Sequence, residues 1–224
     1  MSTSGKRWFL EPLINCILCH WGIAMKVPFR QQISGYDCVP TTLINGLSYL
    51  FSRNDIPPFI VQQVYRECLD AVACRGTSSR AVQELGFLLN NYQEKRFKKF
   101  NVTTHYLSGR QVNFMDNSKV FRCLAAKGVA LLRVQSSCGD WHFILGFHTD
   151  GEWLHCYDPY TRSRRFLDHE AVRFIAPTGQ QEPNLIIRLD WLDRGRKQTD
   201  DVPRKYILGD KDDRECLLMT RIRE

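Results

Sequence analysis

The pattern of hydrophobic and polar positions divides the chain into a helical first half and a strand-rich second half. Apolar residues recur at helical spacing in four segments, residues 38–52, 59–74, 80–92 and 117–126. Strand-like runs occupy residues 101–107, 129–135, 140–148, 152–157 and 185–189. This order predicts an α+β fold in which the N-terminal helices pack on an antiparallel sheet.

The chain contains no internal repeat and no linker, so the pattern predicts one domain over residues 25–195. Residues 1–24 are expected to form an N-terminal extension and residues 196–224 a C-terminal extension. Glu11 and Pro12 interrupt the apolar N-terminal stretch, which argues against a signal peptide or a membrane span. Cys16, Cys19 and His20 lack a second ligand pair at similar spacing, so we expect no metal.

Composition narrows the class of protein. Of the 224 residues, 43% are hydrophobic and 25% are charged, which excludes a mostly disordered chain. The net charge of +7 permits a nucleic-acid partner but does not indicate one, and the clusters at residues 95–99, 162–165 and 194–197 are interpreted as solvated surface. Most of the nine cysteines are interpreted as buried free thiols, which predicts a cytoplasmic, reducing location. The sequence leaves the oligomeric state open.

A candidate nucleophile lies at the start of the first predicted helix. Cys38 opens this helix, and Pro40 falls in its first turn. The positive end of a helix favours the thiolate, which is the nucleophilic form of a cysteine. Gly35 allows the chain to turn back, so Gln32 can bring its amide beside the thiol. The Gln32 amide and the Cys38 backbone N–H are then candidates for an oxyanion hole.

A candidate base and its orienting carboxylate lie on the predicted hairpin. His142 opens the most apolar strand, and Asp158 follows the next strand. A three-residue loop ending with Gly151 in the left-handed conformation places His142 directly opposite Asp158, and a loop of two residues breaks this pairing. At that position the carboxylate can accept the imidazole N–H and fix its tautomer.

These four side chains, in this order, follow the logic of a papain-like thiol enzyme. The sequence resembles the bacterial cysteine peptidases that remove double-glycine leader peptides from bacteriocins, in the stand-alone form without a transporter. In that family a glutamine lies six residues before the cysteine, an aspartate often lies directly before it, and an aspartate follows the histidine by about sixteen. Gln32, Asp37, Cys38, His142 and Asp158 match these places, and the likeness covers roughly residues 28–190.

The resemblance implies a papain-like peptidase domain, a thiol protease that acts on a peptide or protein, and no cofactor. Cys38 is then the nucleophile, His142 the general base, Asp158 its orienting group and Gln32 an oxyanion donor. The chain departs from the family directly after the cysteine, where Val39 replaces the usual glycine. Two alternatives stay open: an acyl- or γ-glutamyl transferase of the same fold, and a catalytically inactive peptide-binding module.

Overall fold

The structure is a computed structural model that describes residues 27–136, 140–160, 170–195 and 206–222. Its helices are α1 (Cys38–Leu50), α2 (Pro58–Glu67), α3 (Ser79–Asn91), α4 (Lys119–Ala125) and the short α5 (Leu189–Leu192). Local sequence accounts for where several of them begin. Ser78 and Ser118 cap α3 and α4, since each side chain accepts a hydrogen bond from a backbone N–H of the first turn. Proline at the start of α2 supplies a helical φ and lacks only an N–H that has no intrahelical acceptor there.

The strands form one antiparallel sheet. They are β1 (Val102–Ser108), β2 (Val129–Gln135), β3 (Trp141–Thr149), β4 (Trp153–Tyr157), β5 (Val172–Phe174), β6 (Leu185–Arg188) and β7 (Glu215–Arg221). Their order across the seven-stranded sheet is β1-β7-β2-β3-β4-β6-β5. The predicted α+β class is therefore confirmed, with helices and an antiparallel sheet.

Two apolar layers cover the two faces of the sheet. One lies under α1, α2 and α3, and the other lies under α4, α5 and residues 206–208. Gly46 sets how closely α1 approaches the sheet, because a Cβ at this position would lie 2.5 Å from Cε of Met219 in β7. The first turn of α1 is thereby held over the central strands.

The C-terminal part of the chain requires a correction. The prediction that residues 196–224 form an extension outside the domain is wrong for residues 206–222, because β7 lies between β1 and β2 inside the sheet. β5 is a second strand that the sequence pattern did not predict. The second predicted helix is also too long, since α2 ends at Glu67 and Leu69 adopts a left-handed φ of 66°. Residues 1–24 and 196–205 lie outside the described residues, as do Cys16, Cys19 and His20.

The described cysteines with placed side chains are buried free thiols, as predicted: Cys38, Cys68, Cys123, Cys156 and Cys216. Burial raises the pKa of Cys68 to about 12 and raises that of Cys156 and Cys216 well above the ordinary range. Within the described ranges, no helix has the length and apolar character needed to cross a membrane.

Candidate active site

The loop before α1 is folded around one carboxylate. Asp37 accepts hydrogen bonds from the backbone N–H of Ile33 at 2.9 Å and from the backbone N–H and hydroxyl of Ser34, both at 2.7 Å. Burial raises the pKa of Asp37, but these hydrogen bonds outweigh it and the net pKa is lowered. The ionised side chain therefore fixes residues 33–37 in a closed turn that delivers Cys38 to the start of α1.

Cys38 is the first residue of the 13-residue helix α1, and it is 9% exposed. The first N–H groups of a helix have no intrahelical acceptor, so the backbone N–H of Cys38 points out of the helix end. The thiol thus lies at the positive end of the helix dipole. A bound carbonyl group can meet both the sulfur and an N–H donor at this position.

His142 lies near the start of β3 and is buried, with 8% of its surface exposed. Its Nε2 is 2.7 Å from Oδ1 of Asp158, and the Cys38 thiol lies close enough to the ring to raise the pKa of the imidazole. Since Asp158 occupies Nε2, Nδ1 is the nitrogen left to exchange a proton with Cys38. The structure thus brings Cys38, His142 and Asp158 together in the order that the sequence predicted.

Competing effects act on the charge of the imidazole. Burial disfavours the charged ring and by itself lowers the pKa of His142, whereas the hydrogen bonds to Asp158 and Cys38 and their negative charges raise it. The effect of these two partners exceeds that of burial, and the pKa of His142 rises to about 9. The ring is therefore protonated at neutral pH, which is the state required by a thiolate–imidazolium pair.

The Asp158 carboxylate is held by several donors. It is 2% exposed. Oδ1 accepts the backbone N–H of Tyr160 at 2.8 Å in addition to the His142 imidazole, and Oδ2 accepts the hydroxyl of Tyr206 at 2.5 Å. The Asn184 side chain binds the backbone N–H and carbonyl of Asp158 at 2.7 and 2.8 Å. Side chain and backbone are therefore both fixed in one orientation.

The predicted hairpin register is wrong, although the side chains of His142 and Asp158 still contact each other. Leu145 pairs with Tyr157, whereas the predicted register placed Leu145 opposite residue 155. The loop is longer than three residues, although Gly151 does adopt a positive φ of 97°. A shift by two residues keeps each side chain on its face, because the period of a strand is two. His142 and Asp158 therefore meet diagonally rather than directly across the hairpin.

A β-bulge between Gly146 and His148 overturns a further expectation. In a regular strand His148, six residues after His142, would lie on the same face, but the bulge adds a residue and reverses the face of the strand beyond it. His148 instead pairs with His155, with ring centroids 5.1 Å apart, and lies about 20 Å along β3 from His142. It is not part of the site.

Gln32 lies on the rim of the same site. Its backbone N–H donates to the carbonyl of Pro159 at 2.8 Å, which ties it to the turn that carries Asp158. Its Nε2 donates to the Ser34 carbonyl at 2.6 Å, and the reversed amide would set two oxygens against each other. This hydrogen bond uses one of the two amide hydrogens, which leaves the second for a substrate oxygen. Oε1 of Gln32 is buried without a partner.

Two aromatic side chains, Tyr36 and Tyr160, flank the site. The Tyr160 ring lies edge-on to His142, with centroids 6.5 Å apart, and Tyr36 is about half exposed on the loop before Cys38. Trp141 instead stacks under the Arg133 guanidinium, 4.2 Å from the ring centroid. Tyr36 and Tyr160 are thus available to a bound peptide.

Sequence reasoning missed two residues of the site, Tyr206 and Asn184. Both lie far from Asp158 along the chain, at separations of 48 and 26 residues. Neither belongs to a motif with fixed spacing. The one available signal was the apolar triplet Tyr206-Ile207-Leu208 inside a charged segment, which indicates a buried stretch.

The raised pKa of His142 makes a prediction about its titration. In an NMR titration we expect the His142 imidazole to lose its proton near pH 9, above the ordinary value of about 6.5. Asp158→Ala removes the hydrogen bond and the charge that raise the pKa of His142, while the burial that lowers it remains. The midpoint should therefore fall by more than one pH unit. A His142→Gln variant assigns the resonance. An unchanged midpoint in Asp158→Ala would show that Asp158 is not what raises the pKa of His142.

Among the described residues, no three histidine, cysteine or acidic side chains are arranged to hold a metal ion. A comparison of the chain with models of known protein families and with curated proteins finds no match.

Proposed function

We propose that this protein is a thiol-dependent hydrolase, a cysteine peptidase that cleaves a peptide or amide bond through an acyl-enzyme on Cys38. One observation carries the proposal. The buried imidazole of His142 binds the Asp158 carboxylate at 2.7 Å and lies within electrostatic reach of the Cys38 thiol, which is at the N-terminus of α1. Nucleophile, base and orienting group then lie in the contact sequence of a catalytic triad.

In the first half of the reaction, the Cys38 sulfur attacks the carbonyl carbon of the scissile bond. The thiol proton resides on Nδ1 of His142, whose other nitrogen donates to Asp158. The carbonyl oxygen becomes an oxyanion, which the Cys38 N–H and the free amide hydrogen of Gln32 stabilise. The intermediate collapses, His142 gives its proton to the leaving amine, and a thioester remains on Cys38.

In the second half, water replaces the amine. His142, now neutral, accepts a proton from the water as its oxygen attacks the thioester carbon. Collapse of this intermediate releases a carboxylic acid and returns the sulfur to the ion pair with His142. Asp158 stays ionised throughout, since its role is to orient the imidazole and to balance the imidazolium charge.

The proposed oxyanion role makes a prediction for Gln32. Replacing it with alanine should lower kcat by about a hundredfold, because one donor to the oxyanion is lost while the triad stays intact. The neighbouring Gln31 is an exposed glutamine in the same backbone segment, so Gln31→Ala is the matched control and should retain full activity. Equal activities of the two variants would remove Gln32 from the mechanism.

The finer assignments are part of this proposal. The spacing of Gln32, Cys38, His142 and Asp158 supports a papain-like fold related to the stand-alone double-glycine leader peptidases. Peptides or proteins are then the substrates. The buried free thiols suit a reducing compartment, so we assign the protein to the cytoplasm.

A product analysis in labelled water tests the function. The protein is incubated with a mixed peptide library in H2(18)O, and new C-termini are identified by mass spectrometry. A hydrolase gives cleaved peptides with 18O in the new carboxylate, and prior alkylation of Cys38 prevents their formation. Products that appear only when an amine is added would instead identify a transferase. No covalent chemistry under any condition would favour a binding module.

A further inference from the structure

Among the described side chains around Asp158, Tyr206 donates a hydrogen bond that a cysteine–histidine–aspartate triad does not require. Tyr206 is fully buried, at 0% exposure, and its hydroxyl is 2.5 Å from Oδ2 of Asp158, the oxygen that faces away from His142. A neutral phenol has one proton to donate, and a carboxylate can only accept. The hydrogen bond therefore runs from Tyr206 to Asp158.

The backbone of Tyr206 is itself unusual. Its φ is +43°, in the left-handed region that a bulky aromatic residue seldom adopts. Such a conformation costs of the order of 1 kcal/mol or more and persists only where surrounding contacts enforce it. Here it turns the phenol toward Asp158 at the base of the site.

The neighbouring residues fix this conformation to the strands that carry the site. Ile207 forms a β-bridge with Gln135 at the end of β2, and the backbone N–H of Leu208 donates to the carbonyl of Leu192 at 2.7 Å. Gly209 packs under Trp141, where a Cβ would lie 2.9 Å from the indole ring. Since Trp141 directly precedes His142, residues 206–209 are anchored against the start of β3.

We propose that Tyr206 is a positioning residue, whose phenol holds the Asp158 carboxylate in the orientation that binds His142. This inference rests on the proposed function of the triad. Oδ1 of Asp158 accepts the imidazole and the Tyr160 N–H, and Tyr206 donates to the other oxygen. Without the phenol, a buried charged oxygen loses this hydrogen bond, and the carboxylate can rotate to share its remaining donors.

The segment at residues 206–209 thus contributes to the site and not only to the core. Among the described residues, the titratable groups that face His142 include Cys38 from α1, Asp158 from the turn after β4 and the Tyr160 ring beside it. Tyr206 touches none of the reacting atoms. Its effect on the imidazole passes through Asp158.

The test follows the proton on Nε2 of His142 by NMR and needs no turnover. In Tyr206→Phe, we expect this proton to exchange with water about tenfold faster or more, because loss of a charge-assisted hydrogen bond loosens the carboxylate. In a kinetic assay, kcat should fall by a similar factor while KM stays unchanged. An unchanged exchange rate in a folded Tyr206→Phe protein would overturn the proposal.

A matched control and a wild-type measurement complete the test. Tyr106 also lies close to a buried carboxylate, that of Glu215, but on the edge strand β1, so Tyr106→Phe should leave the His142 proton unchanged. If Tyr206→Phe does not fold, a measurement on the wild-type protein still tests the hydrogen bond from Tyr206 to Asp158. A phenol donor to a buried carboxylate gives a slowly exchanging low-field hydroxyl signal, and its absence for Tyr206 would contradict the assigned bond. Faster exchange without any peptidase activity would support the positioning role and reject the proposed function.

Discussion

Replacing Cys38 with alanine should abolish peptide hydrolysis, with kcat reduced by at least about a thousandfold. The reason is that Cys38 supplies the atom that becomes acylated, and the other cysteines whose side chains the structure describes are poor substitutes. Cys68, Cys123, Cys156 and Cys216 are buried in the core with raised pKa values, so their thiols stay protonated. Loss of a nucleophile leaves only the rate that binding and the oxyanion hole provide. The measurement is the initial rate on the best peptide from the labelled-water experiment.

Cys216→Ala is the control for Cys38→Ala. It removes the same atom from a fully buried cysteine in β7, a strand that carries none of Cys38, His142 and Asp158. We expect a lower midpoint of thermal unfolding and unchanged kcat, because this variant loses only packing contacts in the core. Hydrolysis by Cys38→Ala at the wild-type rate would reject an acyl-enzyme on this residue.

His142→Ala should have the second largest effect, a fall in kcat of at least about a thousandfold. The variant loses the group that holds the thiol proton and delivers it to the leaving amine, and general acid–base catalysis of this kind contributes about 100- to 10,000-fold. The proposed ion pair between Cys38 and His142 is lost at the same time. Stability should fall as well, because Asp158 is left as a buried carboxylate without its imidazole.

The hairpin offers a second His–Asp pair as the control. Nε2 of His155 lies 3.4 Å from Oδ2 of Asp150, but both side chains are partly exposed and lie near the hairpin loop. His155→Ala should therefore keep full activity. Wild-type turnover by a folded His142→Ala protein would contradict the role of the imidazole.

The sequence was informative where a local signal determines the structure. Pro40 and the helical spacing of apolar residues predicted the helix that begins at Cys38, and the same spacing over residues 80–92 predicted α3. These features act within one turn of the chain, so no distant contact is needed to interpret them. The start of α1 is also the place of the candidate nucleophile, which is why Cys38 could be identified from sequence alone.

The hairpin was predictable in outline but not in register. Glycine at position 151 adopts a positive φ as expected, yet the loop is longer and a bulge follows Gly146. A bulge depends on packing of the strand against its neighbours, which local sequence does not encode. His142 and Asp158 still meet because the register shift at their end of the hairpin is even.

The C-terminal contribution could not be predicted. β7 pairs with β1 and β2 across separations of more than eighty residues, and its mixed charged flanks suggested a tail. Tyr206 reaches Asp158 from 48 residues away, through a left-handed backbone that no motif marks. Such contacts follow from the topology of the whole sheet, and only the folded chain reveals them.

Selective alkylation tests the central claim most directly, that His142 activates Cys38. Wild-type protein and His142→Ala are treated briefly with limiting iodoacetamide at pH 6, where an ordinary thiol with a pKa of about 8.5 is almost wholly protonated. The labelled cysteines are mapped by mass spectrometry, and each rate is normalised to a small-molecule thiol in the same tube. The account predicts rapid labelling of Cys38 in the wild type and its loss in His142→Ala. Equally slow labelling of Cys38 in both proteins would contradict it.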